Sequence, residues 1–223
     1  MGAFEVFAER GVTRLCHFTK VQSLTHILLS PDGILSTSKI NKDILYQVDP
    51  IRADGRMDYV CCSIEYPNSW YLDNAKNRDD SAIFREWAIM YIDIEILKHR
   101  DVKVSECNAA KLNGIYICDG NEKNCEHLFE NRVSSFQYPR TEQMLRNCPT
   151  NAQSEVMIRD GIPRDFIRGI AVGDEETAAT IYAMKKTLGV DNIDIYIAPQ
   201  VLNKSWRAYI QRGERPEEVL FCC

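Results

Sequence analysis

The sequence predicts an α+β fold in a single domain. Three observations carry that expectation. Strand-like segments are short and scattered between polar loops, only two or three stretches show helical apolar spacing, and strands and helices do not alternate as βαβ units. No internal repeat, low-complexity tract or Gly/Ser/Pro-rich linker divides the 223 residues.

In chain order, residues 14–19 (Arg-Leu-Cys-His-Phe-Thr) alternate as a short strand. Residues 20–29 place Val21, Leu24, Ile27 and Leu28 on one helical stripe, which Pro31-Asp32-Gly33 ends. Gly33 suits a positive-φ position there. Residues 38–57 are polar, carry charges of both signs and read as a long loop. Residues 58–65 read as a buried strand before a Pro67-Asn68 turn, and residues 87–94 as another strand. The stretch 121–151 is irregular and polar, with Phe136, Tyr138 and Pro139 embedded in it. A short strand at 155–158, a turn at 161–163 and a strand at 167–172 follow. Residues 175–188 form a helix with Ala178, Ile181, Tyr182 and Met184 apolar, and residues 193–197 (Ile-Asp-Ile-Tyr-Ile) are the clearest period-2 strand. A final helix over the sheet is the plain reading of residues 201–223.

Composition excludes several classes. Hydrophobic residues are 45% and charged residues 26% of the chain, as in ordinary globular proteins. The apolar runs are too short to span a bilayer, and the N-terminus lacks a basic region followed by an apolar one. A cytoplasmic protein with no membrane partner is expected. With 27 Lys+Arg against 32 Asp+Glu, the net charge of −5 excludes a broad basic face. Any nucleic-acid contact must therefore be local. Nine cysteines are an odd number, and two adjacent pairs (Cys61-Cys62, Cys222-Cys223) speak against a disulfide framework. Cys118, Cys125 and His127 are only a fragment of a zinc site, so reduced cysteines and no metal are expected.

Phosphate-binding, dinucleotide, metalloprotease and hydrolase-elbow motifs are absent. Three constellations remain. His17 and Thr19, two apart on a strand, share a face and can reach one ligand, although a buried histidine with a satisfied ring is the commoner case. Arg52 and Arg56, four apart on a loop, can grip a diphosphate or simply balance Asp49, Asp54 and Asp58. Gln153 and Glu155 open a strand on one face, an amide beside a carboxylate. Carboxylates so placed stabilise oxocarbenium-like sugars, although an edge-strand glutamate in water is on its own the commoner case.

Taken in order, these segments resemble the DarT family of ADP-ribosyltransferase toxins, in its branch with a Ser-Ile-x-x-Pro-Asn segment. The resemblance rests on Cys-His-Phe-Thr at 16–19 and Ile-Arg-Ala-Asp-Gly-Arg at 51–56, then Cys-Ser-Ile-Glu-Tyr-Pro-Asn at 62–68. Cys-Asn-Ala-Ala at 107–110 and Ala-Gln-Ser-Glu-Val at 152–156 complete it. It implies a split antiparallel sheet flanked by helices, with NAD as co-substrate and no metal. By the same resemblance, Glu155 and Arg52 are catalytic, and His17, Thr19, Arg56 and Ser63 bind the dinucleotide. Gln153 contacts the acceptor. Along 134–151, where this fold holds its acceptor, Phe136 and Tyr138 offer stacking faces while Arg140 and Arg146 offer phosphate contacts. The same two rings equally suit anchors packed on the sheet.

The implied acceptor is a base of single-stranded DNA, and the implied partner a macrodomain antitoxin of DarG type. Two departures stand out. Ser23-Leu24 replaces the relatives' Asn-Leu, and Cys61-Cys62-Ser63-Ile64 replaces Pro-Phe-Tyr-Phe, which points to guanine rather than thymine. RNA, a protein side chain, or a silent NAD-binding module are the alternatives.

Overall fold

The computed structural model describes residues 2–40, 53–78 and 86–222. Helix α1 (Ala3–Arg10) buries Ala3, Val6 and Phe7 and stops at Gly11 with φ 77°. This helix is an addition to the elements expected from sequence. Strand β1 (Leu15–Lys20) reaches one residue further than expected, because Lys20 still pairs with Trp87. The helical stripe after it therefore begins with a 3-10 turn, and only Leu24–Leu29 forms α2. Then come β2 (Ile34–Leu35), β3 (Tyr59–Ile64), α3 (Ser69–Arg78), β4 (Trp87–Ile92), β5 (Val102–Ser105) and β6 (Ile117–Asp119). Helix α4 (Glu122–His127) interrupts the stretch read as irregular, and the Asn121 side chain caps it by accepting from the Asn124 N–H. The chain continues through β7 (Glu155–Arg159), β8 (Gly161–Ile162), β9 (Ile167–Val172), α5 (Glu175–Leu188) and β10 (Asp194–Ile197). In place of one final helix it ends with short α6 (Trp206–Gln211) and edge strand β11 (Val219–Leu220).

Among the described residues, nine strands form one sheet in the order β11-β10-β9-β4-β1-β3-β7-β5-β6. Every pairing is antiparallel except β9 with β10, which α5 connects. Strand β4 shows why its sequence lacks alternation. Met90 and Ile92 pack into the core beneath α1, α2 and α5, while Ile89 and Tyr91 pack beneath Trp206 and Ile210. A strand covered on both faces reads as a continuous apolar run.

The sheet is wedged open at its centre. β1 and β3 pair only at Leu15↔Ile64 and Cys16↔Ser63, although β1 runs on to Lys20 and β3 starts at Tyr59. Beyond Cys16 the backbones part, and the His17 ring bridges them with Nδ1 2.9 Å from the Cys61 carbonyl oxygen. This is the split expected of the fold.

Gly33 holds φ 64°, and a Cβ there would lie 2.3 Å from the Ile162 carbonyl oxygen where β2 meets β8. Both the backbone conformation and the space exclude a side chain. Gly33→Ala is expected to lower stability by more than about 1 kcal/mol, read as a fall in the urea midpoint at unchanged slope.

Candidate active site

The wedge between β1 and β3 opens into a cleft of about 690 Å³, lined by residues of β1, α2, β2, β3, the 108–110 turn and Glu155. Glu155 is the first residue of β7, flanked by Ser63 on β3 and Ser105 on β5. A tight turn delivers it there. Asn151 Oδ1 accepts from the Gln153 N–H at 3.0 Å, and the Ser154 hydroxyl donates to the Glu106 carbonyl at 3.1 Å.

The Glu155 carboxylate is buried and held on both oxygens. Asn108 Nδ2 donates to Oε1 at 3.0 Å, and the Ala109 N–H donates to Oε2 at 2.8 Å. Burial pushes its pKa up to about 7, with Asp54 adding to the rise and the Ala109, Asn68 and Asn108 donors opposing it. Asn68 lies close enough to favour the carboxylate, yet its buried Nδ2 makes no hydrogen bond of normal geometry within the protein. A carboxyl poised near neutrality in a cleft, fixed in direction by two donors, is suited to a hydroxyl or a developing cation.

The other expected residues divide into three groups. His17, Thr19 and Ser63 all line the cleft. Ser63 also accepts from the Asn68 N–H at 2.8 Å, tying β3 to the start of α3. Arg52 lies outside the described residues. Arg56 is exposed, its backbone N–H donating to Asp54 at 3.2 Å, and is not among the cleft-lining residues. Gln153 also stays off the cleft wall, because β7 begins only at Glu155 and strand alternation does not extend back into the turn. Phe136 and Tyr138 meet edge to face at 5.6 Å outside the cleft. Arg146 turns instead to the Glu9 carbonyl at the end of α1. Arg140 staples its own loop through the carbonyls of Leu145 and Cys148. Both guanidinium groups thus serve backbone oxygens, which single-sequence reading could not reveal.

Four positions at or beside the cleft had no role assigned from sequence. Asn108 and Ala109 stand in the Cys-Asn-Ala-Ala segment, 47 and 46 residues before the carboxylate they grip, and only the β5–β7 pairing brings them together. Asp54 is buried against the cleft. Glu106 anchors the 134–151 loop by accepting from the Ser135 N–H at 2.8 Å and facing His127 Nε2 at 2.7 Å. Among the described residues there is no group of three or more metal-ligating side chains and no helix long and apolar enough to cross a membrane. Of the zinc-site fragment, Cys125 is buried in the core, Cys118 is exposed, and His127 sits between Glu106 and Glu130.

A family model described as "ssDNA thymidine ADP-ribosyltransferase, DarT" matches residues 16–205. Among solved structures, the fold is similar to Thermus sp. 2.9 DarT in complex with ADP-ribosylated ssDNA. That match has TM-score 0.64 and 14% identity, covering 86% of this chain and 96% of that one. The same Thermus protein in complex with NAD+ matches at TM-score 0.59 and 14% identity, covering 83% and 96%. Thermosipho africanus DarTG in complex with ADP-ribose matches at TM-score 0.56 and 18% identity, covering 85% of this chain and 51% of that one. No curated protein sequence matches the chain.

Proposed function

The chain belongs to the DarT family of NAD-dependent ADP-ribosyltransferases, and from that premise we propose that it transfers ADP-ribose from NAD to a guanine of single-stranded DNA in the cytoplasm. The observation that carries this reading is Glu155, a buried carboxylate aimed by Asn108 and Ala109 at the mouth of a cleft large enough for a dinucleotide.

NAD enters as substrate, with its nicotinamide-side ribose and carboxamide toward His17 and Thr19. The C1′–nitrogen bond breaks, its electron pair leaves with nicotinamide, and positive charge spreads over C1′ and the ring oxygen. Glu155 accepts a hydrogen bond from the ribose 2′-hydroxyl and stabilises that charge. The base nitrogen then bonds to C1′ and gives up its proton, which Glu155 is assigned to accept. Arg52, outside the described residues, is assigned to the phosphates by family resemblance. Guanine is preferred to thymine because Cys61-Cys62-Ser63-Ile64 stands where thymidine-modifying relatives carry Pro-Phe-Tyr-Phe. A macrodomain partner of DarG type follows from the same family reading, and one solved relative is a DarTG.

Mass spectrometry of DNA and RNA oligonucleotides incubated with the protein and NAD tests the proposal. A gain of one ADP-ribose on single-stranded DNA, located by fragmentation on guanine, is the expected result. A gain on thymine corrects the base, and a gain on RNA alone or on neither polymer overturns the acceptor.

A further inference from the structure

Outside the cleft, three cation–aromatic contacts form a track around the acceptor side of Glu155. At one end Trp70, in the first turn of α3, faces the Arg207 guanidinium on α6 at 5.6 Å from ring to cation. The same guanidinium lies 4.4 Å from the Phe136 ring, which meets Tyr138. At the other end Lys111 Nζ lies 5.6 Å from the Tyr116 ring and donates to the Ser135 carbonyl, next to Phe136, at 3.0 Å. None of these six residues lines the cleft.

Two features place the track at the reacting centre. Trp70 follows two residues after Asn68, which influences the Glu155 carboxylate, and Lys111 follows two residues after Ala109, which grips it. The mounting is firm as well. Trp206 stacks on Tyr66 in the core at 5.3 Å and so fixes the neighbouring Arg207, while the Leu145 N–H donates to the Ile210 carbonyl at 3.0 Å and welds the acceptor loop to α6.

Neither Arg207 nor Lys111 is paired with a carboxylate among the described residues, although the chain is acidic overall. Lys111 is exposed and Arg207 half-buried, and cations interleaved with aromatic faces are the footprint of single-strand binding, where rings stack bases and cations follow phosphates.

We propose that single-stranded DNA runs along this track. The nucleotide on one side of the acceptor packs on Trp70 and Arg207, and the nucleotide on the other side packs on Tyr116 and Lys111. The acceptor packs on the exposed Tyr138 ring, which Phe136 braces edge to face. This deepens the reading above and rests on it, since it names where flanking nucleotides bind.

The test uses the full chain and three single-stranded DNAs: a trinucleotide centred on the base identified by mass spectrometry, and the same extended only 5′ or only 3′. For the unaltered protein each extension should tighten binding about tenfold, the equivalent of one stacked base. Trp70→Ala and Arg207→Gln should both lose the gain from one extension and keep the other. Tyr116→Ala and Lys111→Gln should show the reverse pattern. NAD affinity by calorimetry should stay unchanged in all four, which reports that the cleft is folded, and the two glutamine variants carry the test should Trp70→Ala fail to fold. If the unaltered protein modifies DNA while every variant keeps both gains, the track is wrong and the proposed function stands. If the unaltered protein neither binds nor modifies DNA, both fall.

Discussion

Replacing Glu155 by glutamine should lower ADP-ribose transfer by a factor of about 10² or more and, at alkaline pH, make the protein more stable. Both effects have one cause. The Glu155 carboxyl is raised from 4.5 to about 7 by burial, so the folded state prefers it protonated. A group whose folded pKa lies above its unfolded one costs nothing at pH 4 and progressively more as pH rises through that interval. Above pH 7 the cost levels off at about 3 kcal/mol. Glutamine removes it. Part of the gain is lost, because Asn108 Nδ2 now faces an amide and cannot rotate freely while its Oδ1 accepts from the Ala110 N–H at 3.1 Å. A net gain of about 1–2 kcal/mol at pH 8 should raise Tm by roughly 2–8 °C. At pH 5, where the native carboxyl is already neutral, the advantage should vanish.

Catalysis has the opposite preference. In the proposed mechanism the carboxylate, and not the neutral acid, opposes the developing positive charge, so single-turnover transfer should rise with pH and level off above about 7, near the Glu155 pKa. Transfer retained in Glu155→Gln, or a variant less stable at pH 8 than at pH 5 relative to the native chain, would remove Glu155 from the centre of the mechanism.

The second large effect lies far from the cleft. Arg14, at the entry to β1, is clamped between the Tyr91 ring at 3.7 Å and the Tyr66 ring at 5.3 Å, and donates through Nε to the Glu65 carbonyl at 3.0 Å. Glu218, in the C-terminal strap, receives both of its terminal nitrogens and the Tyr91 hydroxyl at 2.7 Å. Glu218→Ala leaves that guanidinium largely buried without its counter-charge, a change that costs about 3–5 kcal/mol. Tm should fall by roughly 6–20 °C. The neighbouring Glu217 is exposed, and Glu217→Ala should change stability by no more than about 0.5 kcal/mol. Adding Arg14→Leu to Glu218→Ala should restore part of the loss, since the stranded charge is then gone. Equal unfolding midpoints for Glu217→Ala and Glu218→Ala would show that the strap bears no load.

That strap had no assigned role in the sequence, and the reason is physical. Glu218 lies 204 residues from Arg14, and nothing local in Pro216-Glu217-Glu218 distinguishes a clamped carboxylate from a solvated one. The same limit applies to Arg146. Arginine in a polar loop reads as a free cation, but the packing of α1 against the sheet brings the Glu9 carbonyl within its reach. Gln153 meets another limit: β7 starts at Glu155, so strand alternation does not extend back into the turn that holds Gln153.

What the sequence determined by itself is the set of elements whose stabilisation is local or repeated along the segment. The apolar runs of β3, β4 and β9, the α5 stripe and the positive φ at Gly33 all follow from period, breakers and backbone sterics. That His17, Thr19, Ser63 and Glu155 line one cleft was also legible, because strand spacing and ordered motifs mark them within a few residues. Tertiary structure alone decided the rest. It parted β1 from β3 to make the cleft, carried Asn108 and Ala109 onto Glu155, and set Lys111 on Ser135 and Arg207 on the Phe136 ring. Each of these depends on contacts between segments tens of residues apart, where the sequence holds the partners but not their pairing.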